Sequence, residues 1–175
     1  EQCWAPAGGA PFPGPGRANM SGAGVLPQSV YNATAATGVE ALKIDVGWYD
    51  ARNWTWRPKD WPHGFDYKEK AHLAGMNTSL YMGGSYQDVN LSTAAGRDEE
   101  FKAVLERYDA GYFDMWRTDK YTAPENPLPD SFAGVTNFLS LMDQLIEQRP
   151  GFRYEGCANG GHFKGLALAR RLTFT

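Results

Sequence analysis

Three times in this chain a stretch of helix composition stops at a glycine, and a short apolar run follows at once. Residues 28–37 end at Gly38 ahead of "ALKIDVGWY" (41–49). "FDYKEKAHLAG" (65–75) leads into "TSLYMGG" (78–84), and "RDEEFKAVLERYDAG" (97–111) leads into "YFDMWRTD" (112–119). A glycine after the last helical turn takes a left-handed conformation without the steric cost that a Cβ brings. The third of these helices carries Phe101, Val104, Leu105 and Tyr108 at i, i+3, i+4 and i+7, with its acids early, where the helix dipole favours them. A fourth, 131–148, places Phe132, Val135, Phe138, Leu139, Met142, Leu145 and Ile146 on one face behind Asp130 as N-cap. Pro150 stops it before a further strand, "FRYEGC" (152–157). Residues 163–170 predict a short helix, "RLTFT" (171–175) opens another strand, and residues 2–4 supply a first one. Alternating strands and helices form a parallel sheet with right-handed crossovers, either doubly wound or closed as a β/α barrel.

The length, 175 residues, suits one domain with a substantial core. Residues 1–27 stand apart from 28–175, because "APAGGAPFPGPGRANMSGAGVLP" (5–27) is loop chemistry: a linker, or a long loop capping a site. A net charge of −3 leaves no nucleic-acid footprint, and no apolar run reaches membrane-spanning length. No glycine fingerprint follows the first strand and there is no P-loop, so nucleotide binding loses ground. Cys3 and Cys157 make neither a disulfide framework nor a zinc motif, and His63, His72 and His162 have no ligand spacing. No metal and no cofactor is therefore expected. Five N-x-S/T sequons, at Asn19, Asn32, Asn53, Asn77 and Asn90, favour a secreted or periplasmic glycoprotein.

In both architectures the working side chains sit at the carboxyl ends of the strands. This chain puts Asp45 and Trp48 there, then Tyr81, then Arg117 and Asp119, then Glu155 and Cys157. Carboxylates among aromatics suit carbohydrate: sugar C–H faces stack on Trp and Tyr, and hydroxyls pair with Asp, Glu and Arg. Asp119 ends an apolar strand, and Arg117 shares its face by alternation, so a cation keeps the carboxylate ionised. Asp114 competes but falls in mid-strand. Structural readings stand beside these: an Asp119–Arg117 pair that merely braces, a Glu155 bonded to backbone, a Cys157 that is only a small buried hydrophobe, an Asp60 in a solvated turn, and a Trp61 that packs a loop.

The chain resembles the melibiase-type α-galactosidases, retaining glycoside hydrolases on a β/α barrel. "GVEALKIDVGWYD" is similar to that family's strand ending Asp-Asp-Gly-Trp, and "DWPHGFDYKEKAHLAGMNTSLYMGG" to its Asp-Trp, helix, Gly-Met, strand segment. "YFDMWRTDKY" resembles the strand ending Lys-x-Asp, and "RYEGCANGGHFKGLALARR" the Glu-x-Cys-Ala-x-Gly-Gly segment. Together these cover residues 39–175, and the last is the most specific. The resemblance implies Asp119 as nucleophile, forming a covalent glycosyl intermediate on α-linked terminal galactose or a related sugar. It implies substrate contacts by Asp45, Trp48, Asp60, Trp61, Tyr81, Arg117, Glu155, Cys157, Asn159 and Gly160, with Glu155 bracing the site and Cys157 lining it. The substrate would be an oligosaccharide or glycoside.

Two departures bear on specificity. Arg117 stands where the family has Lys, and Val46 where it has a second Asp that contacts sugar hydroxyls. A sugar-binding homologue without activity, and a doubly wound binding domain unrelated to glycans, stay open as alternatives. The strands number six, whereas a closed barrel has eight. The expected fold is thus α/β, an incomplete (β/α)8 TIM barrel of roughly strands 1–6. A continuation or a second polypeptide is expected to complete it and to supply the acid/base carboxyl.

Overall fold

The computed structural model describes residues 26–44, 48–50, 54–58, 61–82, 89–118, 131–156 and 170–171. The expected strand at residues 2–4, most of the Gly/Pro-rich segment, most of helix 163–170 and most of "RLTFT" lie outside them. The chain divides between Leu80 and Tyr81 into two compact units.

The first unit holds helix α1 (Gln28–Ala36), strands β1 (Ala41–Ile44), β2 (Tyr49–Asp50) and β3 (Thr55–Trp56), helix α2 (Gly64–Leu73) and all but the last residue of strand β4 (Asn77–Tyr81). β1 and β4 pair in parallel, Ala41 opposite Asn77 through Ile44 opposite Leu80. The two helices are stitched by side chains: Gln28 Nε2 donates to the Lys70 carbonyl at 3.0 Å, and Lys70 Nζ to the Leu26 carbonyl at 3.1 Å. Tyr31 and Tyr67 meet at 6.4 Å between ring centroids. Gly38 and Gly75 lie two residues beyond their helices at φ 86° and 81°, and in the second unit Gly111 does so at 77°, which bears out the helix stops expected from sequence.

The strand expected over 41–49 is not continuous. β1 ends at Ile44, and Tyr49–Asp50 turns back to pair antiparallel with Thr55–Trp56. The reason is aromatic burial. Trp48, Trp54 and Trp56 retain 0 %, 1 % and 8 % of their exposure and pack within 4.9–6.2 Å of one another around Trp48. The hairpin that gathers them holds Trp54 at φ 47°, in left-handed backbone. That conformation costs roughly 1–2 kcal/mol. An aromatic side chain buries roughly 150–250 Å² at about 25 cal/mol per Å², so the three indoles outweigh it several-fold.

The second unit holds α3 (Ala94–Asp109), β5 (Met115–Thr118), α4 (Ser131–Gln148) and β6 (Arg153–Gly156). β5 and β6 are parallel, Met115 opposite Arg153 through Thr118 opposite Gly156. α3 begins three residues before the expected start because Thr93 caps it: its Oγ1 accepts the Gly96 N–H at 3.0 Å. α3 and α4 are joined at one end by Asn137 Nδ2 donating to the Leu91 carbonyl at 2.8 Å. At the other end Arg149 grips Asp109 with two parallel N–H bonds. These bonds hold the Asp109 carboxyl below its usual range.

The helix faces differ from those read in the sequence. On α3 the buried line is Gly96, Glu100 and Val104, while Phe101, Leu105 and Tyr108 are half-buried. On α4 the inward residues are Phe138, Leu141, Met142 and Leu145, and Phe132 is 83 % exposed. β5 starts at Met115, so Asp114 precedes the strand instead of sitting within it. The two parallel pairs and four helices make a mixed α/β fold. Among the described residues no helix is long and apolar enough to cross a membrane, and no cluster of side chains could hold a metal ion.

Two glycines in the second unit should respond in opposite directions. A Cβ on Gly96 would stand 2.1 Å from the Asn90 carbonyl oxygen, a backbone atom that cannot swing aside. Gly96→Ala should therefore cost about 1–3 kcal/mol through overpacking. A Cβ on Gly134, within α4, meets nothing nearer than the Ser92 hydroxyl at 3.7 Å. Gly134→Ala should stabilise by roughly 0.5–1 kcal/mol, the ordinary helix preference. Urea midpoints of the two variants check both signs.

Candidate active site

The site grows from the register of β5 and β6. Trp116 and Tyr154 are paired positions, their rings 5.3 Å apart, and both touch Phe138 of α4, at 6.0 and 5.6 Å. The Thr118 hydroxyl and the Tyr154 hydroxyl share a hydrogen bond of 2.7 Å. This is the face that α4 covers. Successive strand side chains alternate, so the next pair, Arg117 and Glu155, stands on the opposite face.

Arg117 and Glu155 are 4 % and 5 % exposed, and their Nε and Oε1 atoms are 3.6 Å apart. This is an ion pair removed from water. Each charge would be costly alone, and each lowers the cost of the other. β5 is held on its other side as well: the Met82 N–H donates to the Arg117 carbonyl at 2.9 Å, and Trp116 Nε1 to the Met82 carbonyl at 2.8 Å. Tyr81, the residue before, is 1 % exposed. Arg117 and Glu155 thus project from the carboxyl-terminal halves of neighbouring parallel strands. A buried guanidinium in that place can hold an adjacent carboxylate in its charged form.

Of the residues expected to act, the structure brings Arg117 and Glu155 into contact. In the first unit Trp48 and Trp61 both stack on Trp56, at 4.9 and 5.7 Å, and are 0 % and 4 % exposed. A sugar could reach them only if that packing opened. Trp61 Nε1 is buried with no hydrogen-bond partner among the described residues. A Cβ on Gly64 would overlap the Trp56 ring, so the glycine is what lets α2 start against this group. Asp45, Asp60, Asp119, Cys157, Asn159 and Gly160 lie outside the described residues.

Sequence reasoning missed Glu100. It has no exposure, and neither carboxyl oxygen has a hydrogen-bond partner among the described residues. Burial, and then the charge of Glu99, push its pKa from 4.5 up to about 7. The signal was present: Gly96, Glu100 and Val104 fall at i, i+4 and i+8. The apolar residues of the neighbouring stripe drew the reading one position away.

No protein family matches the sequence, and no curated protein does. Solved structures match the fold. An α-galactosidase from Lactobacillus brevis aligns with a TM-score of 0.63 at 15 % identity, over 82 % of this chain and 25 % of its own. A GH36 α-galactosidase from Geobacillus stearothermophilus, solved with stachyose, gives 0.65 at 12 % identity, over 83 % and 27 %. The galactosidase domain of an α-galactosidase–sucrose kinase gives 0.61 at 17 % identity, over 77 % and 24 %. The chain therefore spans about a quarter of the length of these structures, and its likeness to them is one of fold.

Proposed function

We propose that this chain is part of a retaining glycoside hydrolase that cleaves α-linked terminal galactose or a closely related sugar, with each parallel strand pair a piece of a β/α barrel. One observation carries the reading: the buried Arg117–Glu155 pair on the face of β5 and β6 away from α4, with Arg117 two residues before Asp119 in sequence, in a fold like that of α-galactosidases.

In this reading Asp119 attacks the anomeric carbon. A bond forms between its carboxylate oxygen and that carbon while the glycosidic C–O bond breaks, and the departing oxygen takes a proton from a second carboxyl group. Water, deprotonated by that same group, then hydrolyses the glycosyl ester. Arg117 favours the ionised form of Asp119, and Glu155 holds Arg117 in place. Glu155, 3.6 Å from Arg117, is given the bracing role, and the proton donor is a different carboxyl group. Tyr81, Cys157, Asn159 and Gly160 border the sugar. Asp45, Trp48, Asp60 and Trp61 are also proposed to bind it, a role tested by the effect of each substitution on KM in the whole enzyme. Val46 stands in place of the family's Asp that contacts sugar hydroxyls, which makes a sugar related to galactose the alternative to galactose itself.

Asp119→Ala in the whole enzyme should fold normally and lose turnover of an aryl α-galactoside by several orders of magnitude. Azide should restore part of it and give a glycosyl azide of inverted configuration, because the small anion takes the vacated place. Near-normal turnover by Asp119→Ala would overturn the assignment.

The ion pair makes a separate prediction. Glu155→Gln removes the carboxylate charge that lies 3.6 Å from the buried Arg117 guanidinium and should lower stability in urea unfolding, by up to about 3–5 kcal/mol. Replacing both partners, Arg117→Met with Glu155→Leu, should return much of that stability while activity stays lost. A Glu155→Gln variant as stable and active as the parent would remove Glu155 from the site.

Cys157, as a pocket-lining thiol, should react with a small alkylating agent and be protected by galactose. A thiol inert in the folded protein would be a core residue instead.

A further inference from the structure

Helix α3 carries a carboxyl group that the proposed chemistry does not use. Glu100 lies between Gly96 and Val104 on the buried face, fully covered, and no donor among the described residues reaches either of its oxygens. At Gly96, one turn earlier, the Asn90 carbonyl is near enough that an added Cβ would stand 2.1 Å from its oxygen, so the backbone packs closely there. α4, the helix packed against α3, brings no counter-charge: its Asp143 is bound to Arg171, and its Glu147 is exposed. Val89, Asn90, Leu91 and Ser92, leading into the helix, carry no charge. β5 and β6 contribute Arg117 and Glu155, which are paired with each other, and the exposed Arg153. On α3 itself Arg97 pairs with Asp98, and Lys102 and Arg107 both pair with Glu106. Among the described residues the neighbour whose charge acts on Glu100 is Glu99, and it acts against ionisation.

We propose that Glu100 is a proton-operated latch on helix α3: with its proton it completes the packed layer, and without it the helix loosens. A neutral carboxyl is far cheaper to bury unpaired than a carboxylate. The folded chain therefore keeps a proton that the unfolded chain releases. Between the unfolded value of 4.5 and the folded value of about 7, the native state binds more protons, so stability falls as pH rises through that window and levels off above it. Asp109 and Asp143 are shifted the opposite way, below 3.8, and their contributions are lost only at lower pH. The window between 4.5 and 7 thus isolates Glu100 among the described carboxyls with a shifted pKa.

The test is urea unfolding of the full chain, parent and Glu100→Gln, from pH 4 to pH 9, with tryptophan fluorescence as the signal. The amide cannot ionise, so its loss of stability across the window should vanish. At pH 8 the folding equilibrium constant of Glu100→Gln should exceed the parent's by about 300-fold, the ratio a shift from 4.5 to about 7 implies. At pH 4 the two should agree within a few-fold. A parent whose stability does not fall between pH 4.5 and 7, or a variant that falls in parallel with it, would overturn the proposal. A second measurement does not depend on the variant folding: the carbon-13 shift of the Glu100 carboxyl in the parent should titrate near 7. Titration in the ordinary carboxylate range would overturn the latch by itself.

Discussion

The stacking of Trp116 on Tyr154 and Phe138 is the contact on which the second unit depends. It fixes which face of β5 and β6 meets α4, and therefore which face is left for Arg117 and Glu155. A slip of one residue in either strand would exchange the faces. The indole would then lose its bond to the Met82 carbonyl, and a guanidinium would be driven against Phe138. The apolar face and the charged face are thus one constraint. Burial of large rings provides the energy, and alternation converts it into the placement of a charge pair.

The elements were legible wherever a local rule decided them. Gly38, Gly75 and Gly111 stop their helices in the left-handed conformation that only glycine adopts cheaply, and α4 occupies the span read from its apolar period. The hairpin of Tyr49–Asp50 with Thr55–Trp56 was not legible, because nothing local calls for it. It forms to gather Trp48, Trp54 and Trp56, and it tolerates a non-glycine residue at φ 47° to do so. Long-range packing overrode strand propensity there. The same effect turned α4: Phe132 and Val135 continue its apolar stripe in sequence, yet the neighbours that bury Phe138 and Leu145 do not reach them.

The candidate site was legible in part. Arg117 and Glu155 could be placed at the ends of strands from the sequence, but not beside one another. That neighbourhood depends on a parallel pairing between segments 38 residues apart, a register no local pattern encodes. The resemblance to α-galactosidases supplied roles for both, and the fold comparisons are consistent with its architecture while leaving its chemistry to experiment. Arg117 is informative in itself. A lysine places a single charge on a flexible stem, whereas a guanidinium is planar and always charged. With Glu155 directly across the register, the arginine can be fixed by one carboxylate while its charge still acts on another.

Glu100 and Glu155 show why burial alone does not assign a role to an acid. Both are carboxyls with almost no exposure, in the same unit of one fold. Glu155 faces a cation at 3.6 Å, so removing its charge harms the partner. Glu100 faces no cation among the described residues, so removing its charge relieves the helix. Substitution to the amide therefore has opposite expected signs at the two positions at neutral pH, although the sequence offers the same residue type and the structure nearly the same exposure. Among the described residues, what separates them is a cation within reach of one and not of the other. A catalytic site needs charged groups beside one another, and the first arrangement is of the kind proposed for that role. The second stores an acid in its neutral form, which makes it a response to the medium and sets it apart from the chemistry proposed for β5 and β6.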